Sequence, residues 1–168
     1  MTAFELQFRP SASLIQIIRR FVSDFYEGML EDPDAVSRVA LATHELLENA
    51  VKYSADGATA LSITLEPAPD ASRGEPSAEG SELAIRLSNR AGEEHIEALR
   101  ELFEEMEHYP DPFDHYQAVL ERGARRKSGS GLGIARVRAE GEMSMSYRIE
   151  GDGVCIVART RVQARRPS

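Results

Sequence analysis

Thr43-His-Glu-Leu-Leu-Glu-Asn-Ala-Val-Lys-Tyr53 is the stretch on which the reading of this chain turns. Val36, Val39, Ala40, Thr43, Leu46, Leu47, Ala50 and Val51 recur at helical spacing, which predicts a helix from the acidic start Glu31-Asp-Pro-Asp34 to about Tyr53. At about 100° per residue, Glu45, Asn49 and Lys52 fall within a fan of roughly 60° beside that apolar stripe. A carboxylate there can take a proton from water or a hydroxyl. A carboxamide oxygen is a hard ligand suited to Mg²⁺, which takes few protein ligands and keeps most of its waters. An ammonium can meet a phosphate. The plain alternative is a solvated charged face, with Glu48 and Lys52 as an ordinary helical ion pair. Asn49 argues against it, because asparagine is a poor interior helix former and needs a reason to be there.

The second informative stretch is Ser128-Gly-Ser-Gly-Leu-Gly-Ile134, directly before a short helix over Leu132 to Glu140. Glycines let backbone N–H groups approach an anion, and the helix start adds its own unpaired N–H groups. Arg125, Arg126 and Lys127 add positive charge just upstream. A P-loop would end in Gly-Lys-Ser/Thr, and a dinucleotide fingerprint would follow an apolar strand; neither holds here. A phosphate cradle is the reading preferred to a bare hinge.

Around these two stretches the chain divides into periodic segments. Phe4 to Phe8 alternates as a strand, and Leu14, Ile18, Phe21, Val22, Phe25 and Met29 mark a helix over Ser11 to Leu30. Thr59 to Leu65 and Glu82 to Asn89 read as strands, joined by a mobile Pro/Gly/Ser-rich loop over 67–80. Helices are expected over Glu93 to Glu107 and Phe113 to Gly123. Met143 to Glu150 and Val154 to Val162 form a hairpin about Gly151-Asp-Gly153. Strands in runs, not strictly alternating with helices, imply an α+β fold: one mixed sheet with helices on one face. The expected unit is a single domain over residues 1–162, with a frayed basic tail over 163–168.

Composition bounds the function. The chain has 168 residues and a net charge of −8, a poor balance for binding nucleic acid directly. No apolar run approaches membrane-spanning length and no secretory leader is visible, so a cytoplasmic location is the default. Cys155 is the lone cysteine, which excludes an intrachain disulfide and a multi-cysteine metal site. His44, His95, His108 and His115 lack metal-site spacing and read as surface or core residues.

Taken together, the two stretches resemble the GHKL, or Bergerat-fold, ATPases and kinases. Glu45-Leu-Leu-Glu-Asn-Ala-Val-Lys-Tyr53 is similar to the family's N box, E-L-x-x-N-A-x-K-Y. Gly129-Ser-Gly-Leu-Gly-Ile134 is similar to its second glycine box, G-x-G-L-G-[IL]. The length resembles the anti-sigma-factor serine/threonine kinases more than the sensor histidine kinases. The resemblance implies a two-layer α/β sandwich with one mostly antiparallel sheet, ATP and Mg²⁺ as ligands, and Glu45 as the catalytic base. It further implies that Asn49 holds the metal, that Lys52 approaches the phosphates, and that Gly129, Gly131, Leu132 and Gly133 wrap them within a lid over Arg122 to Ser130. One motif departs: where the family's first glycine box reads D-x-G-x-G, this chain has Asn89-Arg-Ala-Gly-Glu93. Asn89 can still accept from an adenine amino group, as a neutral group and so more weakly. That strand end, the helical insertion after it and the glycine turn resemble the SiaB-type branch, which acts on STAS-domain partners.

The resemblance therefore implies a kinase that phosphorylates or sequesters a small STAS-like anti-sigma antagonist, or a sigma-like regulatory protein. Small kinases of the family are often homodimers. The altered first glycine box motivates a rival: a weakened pseudo-kinase serving as a protein-binding module.

Overall fold

The computed structural model describes residues 2–69, 76–125 and 131–165. β1 (Thr2–Phe8) is followed by α1 (Ala12–Glu27), whose start is capped by the Ser11 hydroxyl accepting from the Leu14 N–H. α2 (Pro33–Tyr53) starts as its sequence predicts: the Asp32 carboxylate accepts from Asp34 N–H, and Pro33 occupies a first-turn position that needs no N–H partner. β2 (Ser54–Pro69), β3 (Pro76–Ala91), α3 (Glu93–Glu107), α4 (Pro112–Arg125), α5 (Leu132–Ala139), β4 (Ser144–Glu150) and β5 (Gly153–Val162) complete the order.

The five strands form one sheet in the order β1-β2-β3-β5-β4. Register decides which face is apolar. Leu61 lies opposite Leu87, Ile63 opposite Ile85, and Leu65 opposite Leu83; Leu87 and Ile85 in turn face Ile156 and Ala158. With a side-chain period of two, these residues share one face, and all are buried in the core with the apolar stripes of the helices. α2 is the central helix, packed on α1, α5, β2, β3 and β5. Its consecutive Leu46 and Leu47 are both fully buried because neighbours cover more than one side. Truncating either to Ala costs about 2–5 kcal/mol. The result is the α+β, two-layer sandwich.

Several local expectations change. All four strand pairings are antiparallel, which takes the expected mixed, mostly antiparallel sheet to its fully antiparallel limit. β2 begins directly at Ser54; the Asp56-Gly57 turn signal is an irregularity in the β2–β3 register, with Gly57 at φ +74°. Within the expected 67–80 loop, β2 runs to Pro69 and β3 starts at Pro76, with those two paired; residues 70–75 lie outside the described residues. Gln163–Arg165 does not fray: Glu31 N–H donates to the Gln163 carbonyl, and Arg165 N–H to that of Met29. These bonds stitch the chain end to the α1–α2 connection. Among the described residues, no helix is long and apolar enough to cross a membrane.

Candidate functional site

A cavity of about 460 Å³ lies among α2, α3, α4 and α5, within the size range of small-molecule sites. α2 contributes Asn49. α3 contributes His95, Leu102 and Glu105, α4 contributes Leu120 and Arg122, and the start of α5 contributes Gly131 and Leu132. Asn49 is buried, yet among the described residues its carboxamide finds no hydrogen-bond partner. The residue is buried, but its carboxamide opens to the cavity and is not sealed from solvent, which leaves it accessible to a ligand.

Gly131 also lines the cavity. It caps α5 in the left-handed conformation at φ +96°, and a Cβ there would lie 2.9 Å from Leu102 Cδ1. Glycine is required twice, by backbone conformation and by the close approach of α3.

Two charged groups of the cavity wall are paired with each other. Arg122 Nη1 donates to both carboxylate oxygens of Glu105, at 2.9 and 2.7 Å. The resemblance put Arg122 at the start of a lid; it belongs instead to the last turns of α4. The His95 ring stacks on Tyr53 with centroids 3.9 Å apart and planes 5° from parallel, and burial lowers its pKa, so it is neutral near pH 7. Behind the cavity, His115 is fully buried with both ring nitrogens unpartnered. Burial pushes its pKa down; Glu105 opposes that shift, while Arg138 and Arg122 add to it.

Glu45, one helical turn before Asn49, does not line the cavity. It lies in the seam between α2 and α5. Its Oε1 accepts from Arg136 Nη1 at 2.8 Å, and Arg136 Nε donates to Glu140 Oε2 at 2.7 Å. A Cβ on Gly133 would lie 2.8 Å from Glu45 Oε2, so this glycine leaves room for the carboxylate.

The expected site residues therefore fall into groups. Asn49, Gly131 and Leu132 share the helical cavity. Glu45 and Gly133 meet beside it. Lys52 is exposed on the last turn of α2 and is not part of the cavity wall. Asn89 lines a different hollow, of about 770 Å³ at the end of the sheet, with Thr59, Arg9 and Arg90. Its Nδ2 donates to the Arg90 carbonyl at 3.1 Å. Gly129 lies outside the described residues, as do Arg126 and Lys127. His95, Glu105 and Arg136 join the site without having been singled out as site residues from sequence. Only His95 carried a local signal, standing three residues after Gly92 at a helix start.

The chain matches no protein-family model, and no curated protein sequence matches it. Among solved structures it is similar to a chain of the SiaB–SiaC complex from Pseudomonas aeruginosa, with a TM-score of 0.61 and 15% sequence identity. The match covers 95% of this chain and 89% of that one. At that identity the likeness concerns the fold.

Proposed function

We propose that this protein binds ATP with Mg²⁺ in the helical cavity and transfers the γ-phosphoryl group to a serine or threonine of a small regulatory protein. The observation that carries the reading is Asn49: a carboxamide with no partner among the described residues, open to a ligand-sized cavity that the glycine start of α5 also lines. The start of α5 offers unpaired backbone N–H groups to phosphate oxygens. Among the described residues no cluster of three or more acidic, His or Cys side chains could cage a metal. A single carboxamide oxygen suits Mg²⁺ that is held mainly by phosphate and water. Asn49 would hold that ion, which when bound neutralises phosphate charge. Lys52, exposed at the end of the same helix, approaches the triphosphate from solvent.

In the transfer itself Glu45 takes the proton of the acceptor hydroxyl. The hydroxyl oxygen forms a bond to the γ-phosphorus, the bond from that phosphorus to the β–γ bridging oxygen breaks, and ADP leaves with the electron pair. The work of the chain is positioning and charge placement. The structural neighbour was solved as a two-protein complex, which supports a small protein partner here, and a STAS-like domain is the partner we put forward.

The rival reading is a binding module that no longer turns over nucleotide. It is favoured by the place of Glu45 outside the cavity wall and of Asn89 in another hollow. Calorimetric titration with Mg-ATP, followed by a transfer assay with labelled ATP and a purified STAS domain, separates the two. The kinase reading expects micromolar to sub-millimolar binding and label on the partner. No binding at millimolar Mg-ATP contradicts it.

A further inference from the structure

We propose that Arg136 is a positioning residue for Glu45: it pins one carboxylate oxygen so that the other, lying against the bare Cα of Gly133, meets the incoming hydroxyl. The inference rests on the phosphoryl-transfer reading above and assigns a task to a residue outside both sequence boxes.

The geometry is specific. A glutamate has three rotatable side-chain bonds, and a free one spreads its oxygens over many positions. Here the Glu45 side chain is only 15% exposed, held in the α2–α5 seam. Arg136 reaches it from the face of α5 that carries Gly133, one turn earlier on that helix. The guanidinium has two anchors, Nη1 on Glu45 Oε1 at 2.8 Å and Nε on Glu140 Oε2 at 2.7 Å. Two bonds from one planar fork fix its plane, and so fix the oxygen it holds. The second oxygen packs beside Gly133, 2.8 Å from where a Cβ at that position would lie, so a side chain there would push it away.

Gly133 thus serves the acid, whereas Gly131 serves the backbone turn and α3. A lysine at 136 could supply charge to Glu45, but its single ammonium lacks the fork that holds Glu45 and Glu140 in one plane.

The test compares the full-length protein with its Arg136→Met, Arg136→Gln and Arg136→Lys variants. Three quantities are read: Mg-ATP affinity by calorimetry, the rate of loss of the labelled γ-phosphoryl group to water or partner, and the ¹³C carboxyl resonance of Glu45 without nucleotide. That resonance is assigned by its disappearance in Glu45→Gln. Arg136→Met is expected to lower the rate by about 30-fold, the scale of a small misplacement of a reacting group. Its affinity stays within about threefold, since Asn49 and the α5 start are untouched. The Glu45 resonance moves. Arg136→Lys recovers part of the rate with the same affinity. Should Arg136→Met not fold, Arg136→Gln, which keeps the bulk, carries the same expectation.

A folded Arg136→Met or Arg136→Gln protein with wild-type rate and an unmoved Glu45 resonance overturns the proposal and leaves the kinase reading intact. Equal losses of rate and affinity also overturn it, because they mark a purely structural role. A wild-type protein that binds no Mg-ATP overturns the kinase reading, and the proposal falls with it.

Discussion

Two buried asparagines stand at the two ends of the expected nucleotide site, and the fold treats them differently. Asn89, at the end of β3, has its amide engaged with the neighbouring Arg90 carbonyl. Asn49, inside α2, has no partner among the described residues and faces a cavity. One N–H of Asn89 is taken by backbone, whereas no group of the Asn49 amide is taken among the described residues, so Asn49 keeps more of its hydrogen-bonding capacity for a ligand. On the reading proposed above, the helical cavity rather than the strand-end hollow is the place for a phosphate-bearing ligand.

The sharpest way to break that comparison is to separate chemistry from binding at the seam beside the cavity. Glu45→Ala is expected to lower phosphoryl transfer by about 10²–10⁴-fold, the range for losing a general base, while calorimetry still finds Mg-ATP bound. Transfer at the wild-type rate would remove Glu45 from the chemistry. Next in size is Gly131→Val. A branched side chain at φ +96° and within 2.9 Å of Leu102 should destabilise the fold by about 1–3 kcal/mol, read as a lower urea midpoint. An unchanged midpoint would mean the start of α5 relaxes freely.

The two asparagines then give opposite patterns. Asn49→Ala should weaken Mg-ATP by about tenfold, or about 1.4 kcal/mol, with little change in stability. Asn89→Ala should cost about 1 kcal/mol of stability and shift nucleotide affinity by less than about twofold. Exchanged results would move the site to the end of the sheet.

The smallest effect concerns pH. The buried His115 has a lowered pKa in the folded chain, so the unfolded chain takes up a proton first as pH falls. Stability is full above the ordinary imidazole value of about 6.5. It declines as pH drops from there toward the folded value, then levels. His95, also lowered by burial, adds to the same trend. The urea midpoint of His115→Leu should therefore fall less between about pH 7.5 and pH 5.5 than that of the wild type. Identical slopes would show that His115 is not the source.

How far the sequence could be read follows from how local each signal is. The α2 stripe, its Asp-Pro start and the Gly151 turn are local patterns, and they were legible. The glycine turn was legible as a turn, but Gly133 has a second reason that no spacing reveals. Its neighbour Glu45 is distant in the chain, and so is Arg136, 91 residues away from that acid. The strand ends near Pro69 and Pro76 were missed because the composition there signals a loop, while the pairing depends on the partner strand. The docked segment Gln163–Arg165 escaped for a related reason: backbone bonds and the Arg165 guanidinium on the Leu30 carbonyl hold it, and contacts to backbone leave no partner signature in the sequence.

The most direct measurement is a Mg-ATP titration followed through the side-chain NH₂ resonances of Asn49 and Asn89 in ¹⁵N-labelled protein, each assigned by its alanine variant. The account predicts that the Asn49 pair shifts with saturation and the Asn89 pair stays nearly still. Movement of Asn89 with Asn49 unmoved, or of neither at millimolar Mg-ATP, would contradict it.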